Sequence, residues 1–370
     1  MAFDRLNKVK TTMKKSIISA VVFAALTSSS AFAAHTFTNE AGDSLTLDGR
    51  FDVRYHDKGG DHNGEWNSGS SRFGLKGKMG LDNDWTGFGH AEWGYNSGAN
   101  GDNIYDRLLY AGVEHDKYGK IAAGTKQWST FYDVAWFTDM GRVFGSRGSG
   151  YYNLSDWGIA SGTGRAENSI TYRNNINDNW KYGFTYQTTR EDVGLADGKT
   201  ATLKNGMGAS TLYTVMDGLT IGLAYHQNEF DDVEAGVQNI KNGDTQHIGL
   251  LGVNYTNNGL FVGFTYSQGS NWETTSQAEF YDHRGAEFFT YYHFENGLRP
   301  TFNVNYLTDT DDNANGYERQ LIIPGLEYHF KKNKFLVWTE YQFDNGKDSY
   351  NGVKYENSDD QFAAGIRYYF

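Results

Sequence analysis

The chain has 370 residues, a formal charge of −12, no cysteine, and only two prolines beside 45 glycines, 26 tyrosines, 24 phenylalanines and 9 tryptophans. The lack of cysteine excludes a disulfide scaffold, a thiol nucleophile and thiolate metal ligands, and the acidic balance argues against nucleic acid, whose phosphates need clustered Lys and Arg. No stretch approaches the roughly 20 apolar residues of a spanning helix, but a polar, aromatic-rich chain can still cross a bilayer if apolar and polar residues alternate.

Met13-Lys14-Lys15 opens a basic segment, Ser16 to Thr27 is mostly apolar, and Ala31-Phe32-Ala33 is a small-x-small cleavage pattern. Residues 1–33 are therefore expected to be upstream residues plus a removable export signal, with residues 34–370 forming one domain. That leading segment carries five basic residues (Arg5, Lys8, Lys10, Lys14, Lys15) and one acidic residue (Asp4), so the remainder has a formal charge of −16.

From Leu45 the odd positions read Leu45, Leu47, Gly49, Phe51, Val53 and Tyr55, and the even ones Thr46, Asp48, Arg50, Asp52, Arg54 and His56. This strict period of two is a strand with one apolar and one wet face. Phe73, Leu75, Gly77 and Met79 alternate with Arg72, Lys76 and Lys78, and Leu81-Asp82-Asn83-Asp84 turns the chain into a strand over Trp85 to Tyr95. Strands over Tyr105 to His115 and Gly119 to Lys126 come next. Gly124 to Gly150, GTKQWSTFYDVAWFTDMGRVFGSRGSG, is then the one long piece that reads neither as strand nor as short turn.

Beyond it the alternation resumes in hairpins: Arg165 to Ile176 with Trp180 to Arg190, Met207 to Val215 with Leu219 to Glu229, and His247 to Tyr255 with Leu260 to Ser267. Ala286 to Phe294 pairs with Leu298 to Leu307, Gln320 to Phe330 with Phe335 to Phe343, and Phe362 to Phe370 closes the chain. The pattern predicts about sixteen strands. Short Asn/Asp/Gly turns alternate with long acidic loops at 57–69, 191–204, 230–245, 269–283 and 344–360, the layout of an outer-membrane barrel. A soluble lectin-like sandwich is the alternative, but Trp180, Tyr182, Phe184 and Tyr186 share one face beside a turn, as interfacial girdles do. Scarce proline also suits a closed sheet, where a missing N–H has no harmless edge.

The strings LDGRFDVRY, SSRFGLKG, DRLLYAGVEH, YDVAWFTDM and GRAENSITYRN, in this order and with a terminal Phe370, resemble the trimeric porins of Gram-negative outer membranes. The resemblance implies an all-β transmembrane antiparallel barrel with an inward-folded constriction loop. It also implies a homotrimer in outer-membrane lipid and lipopolysaccharide, and passive diffusion of small hydrophilic solutes without a cofactor. In that family basic wall residues face acidic residues of the third loop. The matching wall positions are Arg50, Arg72, Arg107 and Arg165, each assigned to the wet parity of its strand, and the loop carboxylates are Asp133 and Asp139. Arg54 and Arg173 are read as ordinary inward-facing polar residues.

The loop departs from the general porins in carrying Arg142 and Arg147 where further carboxylates are expected, together with Trp128, Tyr132, Trp136 and Phe137. Aromatics beside charged hydrogen-bonding groups suit sugar rings. The loop thus resembles that of chito-oligosaccharide-preferring porins, with Trp136 the best stacking candidate; packing of these rings against the barrel wall is the competing reading. Asp309, Asp311 and Asp312 could bridge divalent ions, but a solvated acidic loop explains them as well, so no metal site is assigned. No GxSxG, HExxH or spaced acid pair accompanies the ten histidines, so no catalytic residue is assigned and a barrel enzyme or adhesin is the remaining alternative.

Overall fold

The computed structural model describes residues 34–60, 63–98, 103–153, 158–275, 277–311, 317–332, 334–350, 353–356 and 360–370, of which 348–350 and 353–356 are described in backbone alone. The expected export signal and Asp312 lie outside the described residues. Sixteen long strands form the wall: β1 Ser44–Asp57, β2 Arg72–Gly80, β3 Thr86–Asn96, β4 Asn103–His115, β5 Gly119–Trp128, β6 Arg165–Asn177, β7 Trp180–Gln187 and β8 Gly206–Met216. They continue as β9 Leu219–Asp231, β10 Thr245–Asn257, β11 Leu260–Thr274, β12 Phe280–Tyr292, β13 Leu298–Asp309, β14 Glu318–Lys331, β15 Phe335–Asp344 and β16 Gln361–Tyr369.

Each strand pairs antiparallel with its neighbour in sequence, and β16 returns to β1 from Arg50↔Tyr369 to Asp57↔Phe362, closing the barrel. Past the last pair the N–H of Phe370 donates to the Gly49 carbonyl (3.1 Å), and the Phe370 carbonyl accepts from the Gly49 N–H (3.0 Å). The Phe370 ring lies where a Cβ on Gly49 would stand. Below this seam Ala34–Thr38 pairs along Ser44–Asp48 of β1, so that edge too is covered. Both prolines stay in register in the β13–β14 ladder and lie where the ladder on their other flank stops or skips. Pro300 lies just outside the last β12–β13 pair, and Pro324 lies where the β14–β15 ladder skips from Ile322↔Phe343 to Gly325↔Glu340.

Burial is inverted relative to a water-soluble protein. Outward residues are apolar and exposed, such as Phe51 at 61% and Leu223 at 53%, while inward Thr265 and Ser267 are fully buried. Such a surface is stable only against hydrocarbon. At the end with turns of two to five residues, the ring pairs Trp180–Tyr213, Tyr292–Phe294 and Tyr328–Phe330 form an aromatic girdle. No helix among the described residues is long and apolar enough to cross a bilayer.

Two boundaries differ from the sequence pattern. The loop expected over 269–283 shrinks to 275–279, because β11 runs on to Thr274 and β12 begins at Phe280. The strand expected to reach Arg190 ends at Gln187, and Arg190 starts a short strand paired with Thr200–Leu203. Arg190 is buried there, donating to the carbonyls of Ala160 (3.0 Å), Thr188 (2.6 Å) and Lys204 (2.5 Å), bonds a continued β7 strand would not place together.

Replacing Leu223 with Arg on the lipid face should lower stability by about 2–4 kcal/mol if the site lies near mid-bilayer. Urea unfolding of the protein in lipid vesicles reads this directly; no loss of stability would contradict the outward assignment.

Candidate functional site

β5 pairs with β6 as far as Trp128↔Arg165, so the long loop begins at Ser129 instead of Gly124 and returns only at Gly164. It folds into the barrel. Phe131, Val134, Ala135 and Phe137 are buried with Tyr151, Ile248, Leu250 and Trp272 against the inner wall. Close approach depends on wall glycines: a Cβ at Gly252 would stand 2.7 Å from Val134, and one at Gly263 1.9 Å from the carbonyl oxygen of Phe137. Phe137, expected as a sugar-stacking ring, is only 3% exposed and serves this packing.

Wall carboxylates hold the rest of the loop. Glu340 accepts the N–H groups of Arg142 (2.6 Å), Val143 (2.9 Å) and Phe144 (3.1 Å). Glu287 accepts that of Ser146 at 2.8 Å, and Asn305 accepts those of Arg147 (2.7 Å) and Gly148 (3.0 Å). Irregular backbone at membrane depth must find such partners. The Arg142 guanidinium makes a two-pronged bond to Glu327 at 2.8 and 2.7 Å, a carboxylate it shares with Arg299. At the other end Arg173 takes Asp133 at 2.8 and 3.0 Å and donates to the carbonyls of Trp128 and Ser129. Asp133 is thus a loop anchor held by Arg173 and is not part of the arginine-lined cavity where its expected role placed it. Burial raises its carboxyl above the usual range, and Arg173 opposes the rise.

Between loop and wall lies a cavity of about 920 Å³ lined by Arg50, Arg54, Arg72, Arg107, Arg142, Arg147, Arg165, Arg319, Arg367 and Lys347. Only three carboxylates, Asp139, Glu318 and Asp344, share that lining. All four predicted wall arginines are present, but Arg107 arrives by a different route than expected. It has the parity of lipid-facing Leu109, and a bulge rescues it: Glu92 faces Leu108 while Trp93 faces Asp106, leaving Arg107 as the extra residue turned inward. There it binds Glu92 at 2.7 Å, a carboxylate that Arg72 approaches to 3.4 Å.

Arg367 binds Asp52 at 2.8 Å, Arg50 donates to the Ser70 carbonyl at 2.9 Å, and Arg54 to Asn67 at 2.8 Å. Burial and the neighbouring Arg319 pull Arg147 down to about 10, still a cation at neutral pH. Arg319 and Arg367 were not anticipated. Arg367 alternates with outward Ile366 and Tyr368 and was legible by parity, whereas Arg319 is separated from Glu327 and His329 on the same face by apolar Leu321 and Ile323, which blur the wet parity of its strand.

The loop presents its remaining aromatics to this cavity. Trp128 stacks on Tyr132 at 3.9 Å and 20°, and the Tyr132 hydroxyl donates to Asp139 at 2.6 Å. Asp139 also accepts from Ser146 at 2.6 Å. Trp136 is 46% exposed and has no ring partner among the described residues.

A closed sixteen-strand barrel with a loop folded inside is the architecture of a channel, and residues 41–370 match the family described as Gram-negative porin. The chain belongs to the Gram-negative porins. Outer membrane porin F of Salmonella typhi is 27% identical over 385 residues, covering 97% of this chain and 100% of that protein. Among solved structures, Salmonella typhi OmpF in complex with daunomycin has a TM-score of 0.73 at 24% identity, covering 91% of this chain and 100% of that one. OmpT of Vibrio cholerae, solved in a trimer form, has a TM-score of 0.66 at 18% identity, covering 89% and 99%. This porin lies in the outer membrane as a passive diffusion channel and is not an enzyme.

Replacing Gly263 with Val should push the Phe137 carbonyl off the wall and shift the loop, since the added Cβ alone overlaps it. Planar-bilayer recording should show altered and noisier single-channel conductance from a barrel that still folds; conductance identical to the parent would show that the loop does not depend on this contact.

Proposed function

We propose that this porin favours anions, with Arg50, Arg72, Arg107 and Arg165 as the selecting wall and Arg142 and Arg147 adding to it from the loop. The observation that carries the reading is the lining of the constriction, ten cations against three carboxylates, in a chain whose overall charge is negative. Several wall charges are balanced: Glu92 offsets Arg107 and Arg72, Asp52 offsets Arg367, and Glu327 offsets Arg142. Arg50, Arg54 and Arg165 have no ion pair with a described carboxylate. Guanidiniums stay charged at any relevant pH, and in a narrow lumen with low-dielectric walls their field attracts counter-ions and repels cations. Asp139, which accepts from Tyr132 and Ser146, is the one loop carboxylate among the described residues that lines this cavity.

The functional unit on this reading is a homotrimer formed after residues 1–33 are removed. Its support is the trimer form of the Vibrio cholerae relative and a shallow outer groove over β2–β5 lined by Gly77, Gly89, Ala91, Ala111 and Ala123, where a second barrel could approach closely. A preference for chito-oligosaccharides has narrower support, the exposed ring of Trp136 and the Trp128–Tyr132 stack, neither of which reads an acetamido group.

In a planar bilayer under a KCl gradient, the reversal potential should take the sign of the chloride potential. Arg72→Glu combined with Arg165→Glu should move it toward the potassium potential. A parent channel reversing at the potassium side would end the anion-favouring reading.

A further inference from the structure

The packing of the loop leaves a question about its other aromatics. Phe131, Val134 and Phe137 pack one side of the loop against the wall, whereas Trp128 and Trp136 line the cavity on its other side and lie outside that buried cluster. An indole 46% exposed beside the cavity leaves apolar area unburied, which a ligand with an apolar face would cover. Trp128 is the direct register partner of Arg165 on the neighbouring strand, which puts the two Cβ atoms roughly 5 Å apart. Both line the cavity, as does Trp136. An aromatic face and a guanidinium free of any described carboxylate therefore stand side by side.

We propose that this shelf is a binding site for anionic sugars: a pyranose stacks a C–H face on Trp128 or Trp136 while its carboxylate or phosphate pairs with Arg165. The proposal rests on the anion-favouring reading and goes beyond it, because a filter for simple anions has no use for the tryptophans. Arg suits the anionic group, since its planar fork matches carboxylate and phosphate oxygens in two-pronged fashion. Rings with one apolar face and a polar edge suit tryptophan shelves with hydroxyl-binding groups nearby, and here Gln342 and Gln361 line the same cavity. A volume of about 920 Å³ accommodates more than one sugar ring.

The test is current blockade of single channels by trigalacturonate and glucose 6-phosphate, with maltotriose, chitotriose, benzoate and inorganic phosphate at the same concentration. The two charged sugars, one a carboxylate and one a phosphate ester, should block transiently, and the other four should not. Trp136→Ala should shorten the blocked time roughly threefold to tenfold, as loss of one aromatic contact implies, and Trp136→Phe should restore most of it. Arg165→Gln should weaken block by the charged sugars alone. Equal block by maltotriose or chitotriose would overturn the proposal in favour of neutral-sugar stacking, equal block by benzoate in favour of a ring-acid site, and equal block by inorganic phosphate in favour of a plain anion filter. No block by any sugar in a channel that reverses at the chloride side would overturn this proposal and leave the anion-favouring reading standing; reversal at the potassium side would remove both.

Discussion

Hydrocarbon offers no partner to a backbone N–H or C=O, so every such group at membrane depth must be satisfied within the protein. The sixteen-strand ring meets that demand by closing on itself, with the Gly49–Phe370 exchange extending the β1–β16 seam to the last residue. Both prolines lie where the ladder on one flank stops or skips, while the β13–β14 ladder that they share runs unbroken. The same demand shapes the interior. A loop carried inside the ring has no ladder of its own, and its N–H groups are met by carboxylates and an asparagine that the wall extends toward it, above all Glu340, Glu287 and Asn305.

That use of acidic residues decides the electrostatics of the lumen. The chain is acidic overall, yet Glu340, Glu287 and Asp133 are committed to holding the loop, and Asp52, Glu92 and Glu327 to individual arginines. The arginines outnumber what remains. Overall charge composition is therefore a poor guide to the lumen: many negative residues act as fasteners for the loop and for single arginines, while the cavity lining carries ten cations and three carboxylates among the described residues.

Much of the fold was legible in the sequence because period-two alternation survives in almost every strand, and Arg50, Arg72 and Arg165, matched through the family resemblance, keep the wet parity of their strands. The failures have particular causes. Arg107 lies in the lumen because of a bulge that alternation cannot reveal, so a parity argument reached the correct face for the wrong reason. Asp133 and Phe137 were assigned to the lumen because loop composition carries no direction; one faces Arg173 and the other a bed of wall glycines. Strands β11 and β12 project beyond their expected ends, since Trp272, buried under the loop, and Tyr281, buried beside Tyr317, break the wet-dry pattern that marks a strand in the bilayer.

The glycines beneath the loop bear on how such a channel can diversify. Gly222, Gly252 and Gly263 belong to three wall strands, β9, β10 and β11, yet their lack of side chains is explained by the shape of Val134 and Phe137, more than eighty residues away in the chain. The constriction is therefore not an interchangeable insert. A loop with larger rings at these points, or one transplanted onto a wall without the trough, would meet a surface that cannot receive it, so lineages that alter pore selectivity must revise loop and wall together or confine change to the side chains that face the water.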